Sequence, residues 1–417
     1  MRRLFSVFCF LLPVLSFAEA SYELMIDRYM SPYAGAEDLL TLYRSVEKKE
    51  DMLLPPKDLP SRRFWPTVGR WAELSLFWDP LARLTVTLQH ELFGHGYRVR
   101  SLKDTQFCGI KVDWPLPYGA SGGATGFNYR EEIKASDILS VVIAGSESEY
   151  ILANTLNSKW TSDGTIDARV AKLYTNTKLG TLQYAYATKQ KDVKGSENSG
   201  NDIISYIRLV NAIYPDDHMS LSKVRKAMRW NLVDATIYNA MFASWYYIFT
   251  GKKSPHWMIP LGKELYYLPS ISTHLAPYGI EYSFDNYLRY KDRAIFAYFK
   301  SGSYAGLSYG GFGLQYDEMF KFSSVSYGIR LHTFLQPRFT TSLKLMDLEK
   351  GKKPSPKARA NLESLRPGGA LSIISKYRIN DTYTFFYSDI GVKTAGYIPG
   401  FQLKGGPVVR IGISGMF

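Results

Sequence analysis

The chain is 417 residues long with a formal net charge of +13. That length favours two folded units over one. Only two cysteines are present, Cys9 and Cys108, so no disulfide framework can staple a small core. The basic charge, in a chain opening as this one does, points to acidic lipid head groups or lipopolysaccharide phosphates and not to nucleic acid.

Residues 1–20 read as a secretory signal: Arg2 and Arg3, an apolar run from Leu4 to Phe17, then Ala18-Glu19-Ala20 as a small-x-small cleavage site. The run is too short to span a bilayer as a helix. Cleavage would remove Cys9 and leave a chain of net charge +12 with Cys108 alone. Such a fold must rest on packing, metal or membrane.

From about residue 36 to 270 the apolar spacing is helical. Asp79-Pro80 reads as an N-cap followed by proline at the first helical position, with Leu81, Leu84 and Leu88 as one stripe. A second helix begins near Ser136-Asp137. "GNDIISYIRLVNAIY" and "LSKVRKAMRWNLVDATIYNAMFASWYYIF" are two more. The uncharged stretch from Ala235 to Thr250 is short for a membrane span and reads as a buried helix. The glycine-rich piece "YGASGGATGF" reads as a loop without phosphate-loop spacing.

After residue 270 the period becomes two. Tyr278, Ile280, Tyr282 and Phe284 alternate with Gly279, Glu281, Ser283 and Asp285. About eight strands are expected, at 277–289, 293–300, 303–316, 322–335, 339–348, 369–379, 382–393 and 406–417. An even count with several strands of ~9–11 residues suits a closed antiparallel barrel. Glu281, Arg330, His332, Lys376 and Arg410 would face its lumen. The basic stretch "EKGKKPSPKARANLESLRPGG" would be a loop at the cell surface. The last strand, "VVRIGISGMF", ends on Phe417 and resembles the assembly signal of bacterial outer-membrane barrels, although Gly415 departs from that pattern. The expected fold class is therefore α+β: a mainly helical domain over 21–270 and an outer-membrane-type β-barrel over 271–417. The resemblance implies location in the outer membrane with the helical part in the periplasm, and membrane lipid or lipopolysaccharide as a partner.

The sharpest chemical signal is "HELFGHG". His90-Glu91 is followed by His95 at a spacing of five, one more than the H-E-x-x-H of zinc peptidases. On an ideal α-helix two residues five apart are about 140° apart and cannot share an ion. Three resolutions remain open. A π-bulge would realign the pair. The helix could instead end near Gly94, letting His95 approach from the next turn. Or Glu91 and His95, four apart on an unbroken helix, are the ligands, with His90 beside them.

A zinc hydrolase needs a third protein ligand and an open position. "AGSESE", residues 144–149, resembles the A-G-x-x-x-E run on the second helix of some membrane-linked metalloproteases. Together the two segments resemble zincin-like metallopeptidases. The resemblance implies zinc held by His90, His95 and Glu149, Glu91 as general base, and an envelope protein or peptide as substrate. Glu147 lies on a more polar face and is the weaker candidate. The alternative is a non-enzymatic outer-membrane barrel, a small pore or surface-binding protein, whose helical part is a plug and whose metal is structural or absent.

Overall fold

The computed structural model describes residues 21–53, 64–130, 132–190, 200–215, 218–304, 307–338, 343–349, 355, 364–379 and 383–416. It has a helical N-terminal part and a large antiparallel sheet in the C-terminal region. The chain starts with strand β1 (Ser21–Asp27) and helix α1 (Pro32–Leu53). A continuous helical rod follows: α2 (Phe64–Glu73), a π turn (Leu74–Trp78), α3 (Asp79–Leu88), a second π segment (Gln89–His95) and α4 (Gly96–Ser101).

Asp79 is thus not the start of a helix. The backbone is already helical at Trp78. The preceding π turn carries the chain past Pro80, which has no N–H to donate. The Asp79 carboxylate is taken by side chains instead, accepting from Arg83 Nε at 2.8 Å and from the buried Asn176 Nδ2 at 3.1 Å.

A hairpin of β2 (Thr105–Asp113) and β3 (Gly122–Tyr129) comes next, and β3 contacts the second π segment. Much of the glycine-rich piece expected to be a loop is therefore strand. A Cβ on Gly123 would meet Glu91 Cγ at 2.7 Å, so the missing side chain lets the strand lie against the helix.

Helix α5 (Ala135–Asp163) is the longest and ends at Gly164, whose φ of +70° is a left-handed cap that glycine adopts freely. The short β4 (Thr165–Ile166) leads to α6 (Ala168–Ala187), α7 (Asp202–Ile213) and α8 (Leu221–Met228). A 3₁₀ turn (Arg229–Val233) breaks the long helix expected here, and the Asp234 side chain caps α9 (Ala235–Thr250) at Thr236 N. Only one side of α9 is buried; Tyr238, Met241, Trp245 and Phe249 are exposed. No described helix is long and apolar enough to cross a membrane.

The sheet continues through β5 (Ser254–Pro255, paired with β4), β6 (Ile259–Pro260), β7 (Leu265–Ala276), β8 (Gly279–Tyr290), β9 (Arg293–Tyr304), β10 (Leu307–Lys321) and β11 (Val325–Pro337). After helix α10 (Leu345–Glu349) come β12 (Leu365–Arg378), β13 (Thr384–Lys393) and β14 (Gly406–Met416). Ten strands form one antiparallel sheet in the order β1-β14-β13-β12-β11-β10-β9-β8-β7-β6.

Three strands of this sheet were not expected from sequence: β1, β6 and β7. β7 was assigned to the helical region, and β1 pairs with the last strand although some 380 residues of chain separate them, Ser21 facing Met416. The strand expected at 339–348 is not formed: 339–342 lie outside the described residues, and Leu345–Glu349 is helical. Most of the basic stretch 349–369 also lies outside them. Among the described residues no pairing joins β1 to β6, so the sheet as described is open.

The sheet is inverted relative to a water-soluble one. Asp389 is fully buried while its neighbour Ile390 is 54% exposed. Tyr282, Phe284, Ile411 and Ile413 face outward; Glu281, Asp285, Arg330 and Arg410 face α1 and α5. Most of the inward charges are paired; Lys393 instead donates to the Thr394 and Gly396 carbonyls, both at 2.7 Å. Lys300 Nζ meets Glu281 at 3.1 Å, Lys376 Nζ meets Glu23 at 2.7 Å, and Arg330 and Arg410 both contact Asp389. A cavity of about 470 Å³, lined by both charged and aromatic side chains, lies between this face and the helices.

One pair ties the helices to the loop between β13 and β14. Arg98 on α4 and Glu147 on α5 are both fully buried, with Nη2 at 2.7 Å from each carboxylate oxygen. Arg98 Nη1 also donates to Phe401 O at 2.8 Å, and Glu147 accepts from Gly400 N at 2.6 Å. Replacing Glu147 by Ala strands a buried guanidinium. The expected loss is about 3–5 kcal/mol of stability, read from denaturant unfolding of the refolded protein; a loss under ~1 kcal/mol would mean that the pair is solvated.

Candidate metal centre

The second π segment answers the spacing problem. Residues Gln89–His95 keep helical backbone angles but run with i→i−5 bonding, as in Gly96 N to Glu91 O. Widening the turn brings residues five apart onto one side. His90 Nε2 and His95 Nε2 lie 3.0 Å apart. The readings that end the helix at Gly94, or keep it an unbroken α-helix, do not hold.

The wider turn is held by its neighbours. Gln89 Nε2 donates to Pro32 O at 3.0 Å and Ser148 O at 3.1 Å, while Ser148 Oγ donates back to Gln89 O at 2.9 Å. Thr125 Oγ1 reaches Glu91 O at 2.9 Å, and Arg100 Nη2 reaches Leu92 O at 2.8 Å. The arginine serves a carbonyl of the widened turn, while Glu91 O already accepts from Gly96 N. Gly94 permits the approach: a Cβ there would lie 2.6 Å from Ala144 O and 2.9 Å from Gly145 Cα. Gly145 matters equally, since a Cβ on it would overlap the His90 ring.

A carboxylate completes the convergence, and it is Asp202. Its Oδ2 lies 3.1 Å from His90 Nε2 and 3.2 Å from His95 Nε2. Asp202 opens helix α7, whose N-cap is Asn201, with Asn201 Oδ1 accepting from Ile204 N at 3.0 Å. The Asp202 N–H donates to Tyr184 Oη at 3.0 Å.

Glu149 does not reach this point. Its Oε1 lies 2.8 Å from His90 Nδ1, and its Oε2 accepts from Thr181 Oγ1 at 3.2 Å. His95 Nδ1 similarly faces Val141 O at 2.6 Å. A carbonyl can only accept, so His95 carries its proton on Nδ1, and the Glu149 carboxylate selects the same tautomer for His90. Both Nε2 lone pairs are thereby aimed at one spot, joined there by a carboxylate oxygen. Three acceptors about 3.1 Å apart need a cation or a shared proton among them.

Without metal the protons supply it. Burial pulls both imidazoles toward neutrality, but Asp202 and, for His90, Glu149 outweigh it and raise both above the usual histidine range. Burial raises the Asp202 carboxyl, yet the two histidines outweigh it and hold it well below the usual aspartate range.

The donor set fits zinc. Four ligands at ~2.0–2.1 Å around a tetrahedral ion stand about 3.3 Å from one another, close to the observed triangle. Glu91 is buried, and one of its oxygens lies within 4.8 Å of both histidine nitrogens. Thr125 Oγ1 donates to Glu91 Oε2 at 2.7 Å. All of these residues line one cavity of about 1080 Å³.

Of the residues singled out in the sequence, the structure brings His90, Glu91 and His95 together, puts Glu149 behind His90, and commits Glu147 to Arg98. Asp202 was missed. At a helix start after Asn201 it looks like capping chemistry, and only the fold brings it to the histidines. No protein-family model matches the chain, and no curated protein or solved structure does so either.

Replacing Gly145 by Ala should push the His90 ring out of the cluster while leaving the α5 backbone intact. Zinc affinity, titrated against a competing chelator, is expected to drop at least 100-fold with little change in circular dichroism. Unchanged affinity would show that His90 is not held where the geometry puts it.

Proposed function

We propose that this protein is a zinc-dependent hydrolase, most readily a metallopeptidase, anchored in the bacterial outer membrane by its sheet. The observation that carries the reading is the convergence of two Nε2 atoms and the Asp202 carboxylate beside Glu91, on the wall of an open cavity. In this reading His90, His95 and Asp202 hold the zinc. Glu149, expected from sequence to be a ligand, instead orients His90 through Nδ1, a carboxylate–histidine arrangement that fixes the ring and raises its basicity.

Three protein ligands beside a cavity leave a position for substrate, whereas structural zinc sites are closed by four. This favours the hydrolase over the structural-metal alternative. A bound zinc would supply Lewis acidity at the scissile carbonyl. Glu91 supplies the base: it takes a proton from the attacking water and returns it to the leaving group. Thr125 fixes the Glu91 carboxylate by one oxygen, and the bare Cα of Gly123 leaves room above it. Tyr184 holds Asp202 by its backbone.

For the membrane, the support is the outward apolar face of the sheet with its charges paired inside, the pattern of a lipid-facing barrel wall. Closure of the ten strands into a barrel, with α1 and α5 plugging it, belongs to this proposal. Exposed Trp65, Trp71, Trp114, Trp245 and Trp257 on the helical part suit the bilayer interface. Membrane lipid or lipopolysaccharide is the expected partner, and an envelope protein or peptide the expected substrate.

The metal reading is tested on the refolded mature protein by elemental analysis. One zinc per chain is expected, lost in Asp202→Ala and His95→Ala. Glu149→Gln should keep zinc with ~10–100-fold weaker affinity, and Glu91→Gln should keep it fully while abolishing hydrolysis of a casein or peptide pool. Absence of stoichiometric zinc from the native protein would end this reading.

The barrel is tested separately. In detergent, unheated protein should migrate faster on a gel than boiled protein. Equal mobility together with full solubility without detergent would remove the membrane from the proposal.

A further inference from the structure

The cavity at the metal cluster is long, and its two ends differ. From Glu149, α5 runs back through Val142 to Ile138; from Asp202, α7 runs forward through Ser205, Arg208 and Leu209 to Ala212. At 1.5 Å per residue each path covers about 15 Å. The near ends of both helices reach His90 and their far positions line the same cavity, so the two helices run antiparallel as a floor. The face of β3 that carries Gly123, Thr125, Phe127 and Tyr129 forms a wall, because alternate residues of a strand share a side. Leu345 of α10 stands on it as well.

The metal end is polar: His90, Glu91, His95, Thr125 and Asp202. Beyond it the lining turns apolar, with Ile138, Val142, Phe127, Leu209, Ala212 and Leu345, but Gln183, Ser205 and Arg208 run along the same trench. A simple hydrocarbon chain would cover Gln183 and Ser205 without replacing their water, which is costly. A peptide would not: its amides meet the polar line while its side chains meet the apolar one. A length of about 15 Å holds four to five extended residues.

Resting on the hydrolase reading above, we infer that this trench is the substrate channel and selects a peptide with bulky apolar side chains within about four residues of the scissile bond.

The test is binding, not turnover. Hydroxamates attach to zinc through their head group, so the zinc-loaded protein is titrated calorimetrically with acetohydroxamate and with acetyl-dipeptidyl hydroxamates whose two residues are both Gly, Leu, Phe or Asp. Octanoyl hydroxamate is the acyl-chain control. The Leu and Phe probes should bind at least tenfold tighter than the Gly and Asp probes. Leu209→Asp, and independently the trench-filling Ala212→Phe, should erase the preference while acetohydroxamate, which reaches only the metal end, binds as before. Equal affinity across the dipeptidyl series with acetohydroxamate still bound overturns the inference and leaves the metal site standing. Octanoyl hydroxamate binding tighter than every peptide probe overturns the peptide in favour of an acyl chain. Failure of acetohydroxamate to bind removes the hydrolase reading and this inference with it.

Discussion

The site depends on one close crossing, that of the π segment Gln89–His95 over helix α5. Two glycines, Gly94 and Gly145, remove the side chains that would hold the helices apart. Exchange between Gln89 and Ser148 then locks them face to face. At this distance α5 can supply both the Val141 carbonyl that orients His95 and the Glu149 carboxylate that orients His90. Neither partner would reach if the helices stood at the usual 8–10 Å separation. The wide helical turn and the tight crossing are thus one feature: the turn aims the rings, and the crossing fixes their tautomers.

Helix α5 also joins the site to the sheet. Glu147 and Glu149 are two residues apart and so point roughly 160° apart around the helix. One binds Arg98 and the Gly400 backbone, the other binds His90. Between them, Tyr150 reaches Ser283 and Asp285 on β8. The sheet's inward charges pair with one another across strands and would be prohibitively costly unpaired, and the helices that cover them are those that carry the site. A constellation that must hold ligands to a fraction of an ångström gains from a mount whose alternatives all strand a buried charge.

Much of this was legible from the sequence, and the failures have physical causes. Period-two alternation revealed β8 to β11 and β12 to β14 because an inverted sheet alternates as strictly as an ordinary one. β1 was not legible: its partner is the last strand, and nothing local in "SYELMID" announces so distant a pairing. β7 was lost because Leu265–Ala276 precedes the clear alternation, and Pro269 within it argues against a strand. At the site, the wide turn was among the geometries that the His90–His95 spacing demands. The third acceptor was not, because Asp202 comes from another helix, and an aspartate at a helix N-terminus already has an ordinary explanation. Both acidic residues of "AGSESE" are buried and partnered. For Glu149 that partner is a histidine, and for Glu147, which looked the more polar of the two, it is an arginine.

The extra residue in "HELFGH" is absorbed where it stands. Five residues at about 4.4 per turn rotate through nearly the same angle as four residues of ordinary α-helix. His95 therefore returns to the side of His90, and α4 leaves the π segment at nearly the angle that an H-E-x-x-H helix would give it. Arg98 can thus reach Glu147 and the Phe401 carbonyl, and Arg100 can reach Leu92 O. The surplus residue shows only inside the turn, where Gly94 keeps the widened backbone close to Ala144 and Gly145. The π segment is the local distortion that lets one rod serve both the cluster and the buried arginine beyond it.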